Sequence, residues 1–182
     1  MVAPAAAAIT VTIAGAITPG YSAAQQTISR LAVPGKPAGF AVQLAIGITA
    51  VACFALASAV SNSRWPLVAA GLGFGLAAVV RLDPASAQMS AAHRIGTGLA
   101  VTGLVAAAAT YGHASRKVAA GEVALLLGGG VLLITSFDAW GLWERCLLAL
   151  ALAWMTIVAA RMMVSTDEMA TAIADSSSSA GM

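Results

Sequence analysis

The chain has 182 residues, 60% of them hydrophobic and only 9% charged, with a net charge of +2 and a mean hydropathy of +0.90. Soluble domains carry about a quarter charged residues, and one of this size has too little interior to hide so much apolar surface. The composition therefore argues against a soluble fold, and the scattered basic residues argue against a nucleic-acid partner.

A span needs roughly 20 mostly apolar residues, so the length holds about six with short connections. The expectation is an all-α integral membrane bundle of six transmembrane helices over residues 1–164, with a disordered polar tail over 165–182. Val2–Ile17 reads as the first span, closed by the helix-breaking pair Pro19-Gly20. It could also pass for a signal-peptide core, but no basic residues precede it. Residues 21–38 form the first loop, with a short interfacial helix that turns Ile28 and Leu31 to its apolar side.

Phe40–Val60 is the second span, and SNSRWP a polar turn. Leu67–Val80 is the third span, where Gly71 and Gly75 share a face suited to close helix packing. The stretch from Arg81 to Arg94 is the most polar passage in the middle of the chain, and Ser90 is a candidate N-cap just before His93. Ile95–Tyr111 is the fourth span, Gly112–Ala120 the next turn, and Glu122–Phe137 the fifth span, interrupted by three glycines. DAWGLWER is the last loop, followed by a sixth span over Cys146–Ala160. Cys53 and Cys146 fall at different depths, which disfavours a disulfide, and both read as apolar packing residues.

The face holding both chain ends carries Arg64, Arg116, Lys117 and Arg161; the other carries Arg30, Lys36, Arg81, Arg94 and Arg145. Four against five does not decide orientation by the positive-inside rule. The second set mixes with Asp83, Asp138 and Glu144, whereas Arg116-Lys117 stands nearly free of acids. Both termini are therefore placed in the cytoplasm, in a multi-pass protein of the cell membrane.

Three loops then converge at the outer face. They offer Tyr21, Ser22, Thr27, Ser29 and Arg30; Arg81, Asp83, His93 and Arg94; and Asp138, Glu144 and Arg145. Ionisable groups at a membrane boundary mark either function or a paired network. In the bland alternative they pair and clamp the loops, with a carboxylate of Asp83 or Glu144 on His93. In a second, Tyr21, Arg81, Arg94, Glu144 and Arg145 bind a lipid head group or a membrane protein partner. In a third, Ser29, Thr27 or Ser22 attacks a lipid ester, with His93 as base and Asp83 orienting it. No G-x-S-x-G elbow supports that set. Metal and haem are disfavoured, because His93 and His113 fall at opposite faces and no paired ligand set exists; no cofactor is expected. Transport is disfavoured by the scarcity of polar residues at mid-depth.

PGYS and QTIS-x-L after the first span, the R-L-D-P loop, a histidine opening the fourth span and G-L-W-E-R opening the sixth occur in that order. Together they resemble a bacterial multi-span membrane family, domain of unknown function 998, over nearly the whole chain up to about Arg161. The resemblance implies a six-span bundle with its distinctive residues at the outer loops. The matching positions are Tyr21, Thr27, Ser29, Leu31, Asp83, His93, Gly141, Glu144 and Arg145. It implies no activity.

Overall fold

The computed structural model describes residues 3–135 and 138–179. The expected limits of the first span at Val2 and of the fifth at Phe137, and the last three residues of the tail, lie outside them. Among the described residues the fold is all-α, with six helices and no strand. The helices are α1 (Ala3–Ile17), α2 (Gly39–Ala59), α3 (Arg64–Val79), α4 (Ala87–Tyr111), α5 (His113–Thr135) and α6 (Trp140–Ser179), and a 3-10 turn spans Ile28–Ala32.

The first three helices lie close to the expected spans, and the last three start earlier. Helix α4 begins at Ala87 because Ser86, not Ser90, is its N-cap: the Ser86 hydroxyl accepts the Met89 N–H at 3.3 Å. The Ser90 hydroxyl instead donates to the Asp83 carbonyl at 2.6 Å. Residues 113–120, expected as a turn, are the first turns of α5, and Gly112 alone separates it from α4. Their Ala, Arg and Lys content suits a helix despite its polarity. The DAWGLWER segment is likewise largely helical, since α6 starts at Trp140. At its far end α6 continues to Ser179, past the point where the sequence suggested an unstructured tail.

Among the described residues, only α2, with mean hydropathy 2.2, and the Trp140–Val164 part of α6, with 2.0, are long and apolar enough to cross a membrane. Helices α1 and α3 are apolar but shorter, α4 carries Arg94 two turns in, and α5 carries Arg116 and Lys117 near its start. Length and apolarity thus support the expected six spans for two helices.

Each helix packs on the next in sequence, and α6 returns to touch α1, α4 and the 3-10 turn. The start of α1 and the far half of α6 lie together, since Ala3 and Pro4 line the same groove as Met155 and Met162. The interior is largely alanine, joined by Cys53, Leu67, Phe74, Leu104, Trp154 and Met155. Small residues let the helices approach closely. The tightest seam joins α3 and α4: a Cβ on Gly73 would lie 2.8 Å from the Ala100 Cα, and one on Gly103 2.9 Å from the Ala70 Cα. The expected pair Gly71 and Gly75 does not share this role. Gly71 faces the Phe54 ring on α2, while nothing lies against Gly75.

Among the described residues, polar bonds also tie neighbouring helices together. The Gln43 amide donates to the Ala78 carbonyl at 3.0 Å, and the Ser63 hydroxyl to the Ala107 carbonyl at 2.9 Å. The outward surface is apolar on every helix, with Ile13, Phe40, Val79, Ile95, Ile134 and Ile157 all exposed. Cys53 is buried as expected, but Cys146 is exposed; both are free thiols.

Candidate functional site

The site forms where the first loop, the 80–94 connection and the start of α6 meet. Gly20, at φ 70°, turns the chain out of α1 in a conformation that favours glycine. Tyr21 then folds back, with its ring against Gly15. The 3-10 turn buries Ile28 and Leu31, as their apolarity predicts, but against α1 and α2 inside the protein.

One side of the site is a clamp. Arg145 donates to the carbonyls of Ala23 at 2.7 Å, Gln26 at 3.2 Å and Gly141 at 3.0 Å, and to the Tyr21 hydroxyl at 2.6 Å. The Tyr21 hydroxyl in turn donates to the Gln26 carbonyl at 2.9 Å, with the Thr27 carbonyl also within reach at 3.2 Å. The guanidinium lies 5.5 Å from the Tyr21 ring centroid, a cation–π distance. The Glu144 carboxylate accepts the Ile28 N–H, and the Leu142 N–H donates to the Ala24 carbonyl at 2.8 Å. Gly141 permits this contact, since a Cβ there would run into the carbonyls of Ala23 and Gln26. Burial pushes the Tyr21 hydroxyl pKa above its ordinary value, with Arg145 beside it pulling the other way.

The other side holds His93, two turns into α4 and 2% exposed. Its Nδ1 lies 2.7 Å from the Val80 carbonyl, and its Nε2 2.9 Å from the Ser29 hydroxyl. A carbonyl only accepts, so Nδ1 carries the proton; in the neutral ring Nε2 is then a bare acceptor for the Ser29 O–H. Helix geometry makes the carbonyl available. Helix α3 stops at Val79, and Val80 is extended at φ −93° and ψ 103°, so its oxygen leaves the helix ladder.

Asp83 is therefore not the orienting group. Its carboxylate accepts the Ala85 N–H at 2.9 Å and shapes the turn before α4. Neither Asp83 nor Glu144 bonds to His93, and no pairing of Arg81 with Asp83 or of Arg145 with Glu144 occurs among the described residues. These acids instead accept from backbone N–H groups, Ala85 for Asp83 and Ile28 for Glu144. Val80 escaped the sequence reading because a backbone carbonyl leaves no residue-type signal.

Beside His93 opens a polar cavity of about 500 Å³. Ser29, Thr27 and Arg30 line one wall, His93, Arg94 and Thr97 the second, and Asp138, Trp140 and Glu144 the third. Of the residues expected at the site, Ser29, Thr27, His93, Arg94 and Glu144 are brought together here. Tyr21 and Arg145 stand behind them in the clamp, and Arg81 and Asp83 lie off the cavity. The Thr27 hydroxyl makes no capping bond to the turn it precedes, and the Ser22 hydroxyl accepts the Gln25 N–H at 3.4 Å. A larger groove of about 980 Å³, between α1, α2 and α6, is almost wholly apolar and lies toward the other end.

The fold and site define an all-α protein with an apolar exterior and a polar cavity at one end of its bundle. The chain belongs to the family described as Protein of unknown function (DUF998), whose model matches residues 1–161. No curated protein and no solved structure matches it.

Proposed function

We propose that this chain is a six-span protein of the cell membrane and that its polar cavity is a hydrolytic site for a membrane lipid ester. The membrane reading draws support from the apolar residues exposed on all six helices, since soluble monomers rarely expose large apolar patches. Both termini face the cytoplasm, with the exposed Arg116-Lys117 pair beside them. The polar cavity then opens at the outer face.

One observation carries the chemistry: Ser29 and His93 bond to each other on the cavity wall, and the Val80 carbonyl holds the other nitrogen of the ring. Ser29 Oγ attacks the ester carbonyl carbon while its proton passes to His93 Nε2. The tetrahedral adduct collapses, the C–O bond to the alcohol breaks, and His93 returns that proton to the leaving oxygen. A water molecule then attacks the acyl-serine and gives a proton to His93, which passes it to Ser29 Oγ as the acyl C–O bond to serine breaks and the acid leaves. Val80 holds Nδ1–H throughout, which is the orienting share of what a carboxylate does in a triad. Arg30 and Arg94 suit an anionic head group.

A second reading, binding of a lipid head group or a partner protein without turnover, is favoured by Arg30 and Arg94 on the cavity wall. A fluorophosphonate probe on the purified full-length protein separates the two. Labelling that maps to Ser29 and disappears in His93→Ala supports hydrolysis. An unlabelled Ser29 in protein that binds vesicles of anionic phospholipid leaves binding alone.

A further inference from the structure

Glu122 lies about two and a half turns into α5, deeper than its expected place at the start of a span. It is 1% exposed, and its Oε2 is buried with no hydrogen-bond partner. It shares a stripe of α5 with Ser115, Ala119 and Gly129. Ser115 accepts the Trp154 indole N–H at 3.0 Å, and Gly129 lies against the Trp143 ring. The stripe therefore faces α6, and Glu122 sits between two tryptophans.

Among the described residues no countercharge faces it. The helices packed on α5 are α4 and α6. Between Ile95 and Thr110 on α4, and between Leu147 and Ala160 on α6, there is no titratable or charged residue. Tyr111 ends α4 with its ring on Trp154. On α5 itself His113, Arg116 and Lys117 are exposed near the helix start. A carboxylate buried without a partner is strongly disfavoured against its neutral acid. Ionisable groups within a membrane segment commonly serve proton traffic.

We propose that Glu122 is an exchangeable proton-binding site inside the bundle, separate from the polar cavity. The ligand is a proton, because one carboxylate supplies too few oxygens for a metal cation. No group of three or more His, Cys, Asp or Glu residues accompanies it among the described residues.

Dicyclohexylcarbodiimide tests the assignment on the intact protein in membranes. The carboxyl O–H adds across one C=N bond of the reagent, its proton going to nitrogen. The O-acyl adduct rearranges to a stable N-acylurea, with nothing else consumed. Peptide mass spectrometry should find the adduct on Glu122 at acid pH, fading several-fold as pH rises, and absent after Glu122→Gln. A water-soluble carbodiimide should leave the residue untouched. The wild-type titration carries the result, so a poorly folded variant does not decide it. No adduct at acid pH, or equal reaction with the water-soluble reagent, overturns the site. An adduct that persists unchanged into alkaline pH reveals a permanently neutral acid and overturns the exchange.

Discussion

The clamp and the cavity wall are built from the same three connections, yet they use their polar atoms differently. In the clamp, Arg145 spends its donors on three carbonyls and a hydroxyl, and Glu144 takes a backbone N–H. On the wall, Ser29 and His93 bond to each other beside open space. Groups that satisfy only backbone hold a loop in place, whereas side chains that bond to each other beside a cavity remain available to a ligand. The contrast separates architecture from chemistry among residues that look alike in the sequence.

The strongest way to break this contrast is to remove the clamp. Arg145→Ala strands several carbonyls and the Tyr21 hydroxyl, and should cost about 2–4 kcal/mol in denaturant unfolding in detergent. A negligible loss would show that the first loop is held by something other than this guanidinium. His93→Ala should cost less, about 1–3 kcal/mol, because it leaves the Val80 carbonyl and Ser29 unpaired. His93→Gln, which can still donate to Val80, should lie between His93→Ala and the wild type. Equal and negligible losses for both variants would remove His93 from any structural role.

Ser29→Ala sharpens the contrast from the other side. It should change stability by no more than about 1 kcal/mol, while abolishing fluorophosphonate labelling of the protein. A Ser29→Ala variant that labels as the wild type does would end the hydrolytic reading.

The smallest effect concerns alkaline pH. The folded protein keeps the Tyr21 hydroxyl protonated to higher pH than the unfolded chain does. Its contribution to stability is therefore intact below the ordinary tyrosine value of about 10 and is lost as pH rises above it. Tyr21→Phe should flatten that part of the stability profile. An identical alkaline decline in both proteins would place its cause elsewhere.

The convergence of the three connections was legible in the sequence, because helix count and loop order dictate which loops share an end. So was the meeting of a first-loop hydroxyl with His93. The partner of Nδ1 was not, because it depends on where α3 unwinds and leaves a carbonyl unspent. Asp83 looked like that partner from its charge, but an N–H two residues away was a nearer claim on it. Glu122 was misplaced for a different reason. The charges of Arg116 and Lys117 made the start of α5 resemble a connection, so the acid looked like a boundary residue rather than one in the middle of a helix.

The glycine seam between α3 and α4 reaches further than its own contacts. Gly73 on α3 precedes Val80, just past the end of that helix, by seven residues, and Gly96 follows His93 by three on α4. With backbones in direct contact at Gly73, Gly96 and Gly103, the two helices have almost no freedom to slide. The seam therefore works as a vernier for the imidazole. It sets the height of the Val80 oxygen against His93 without touching either group.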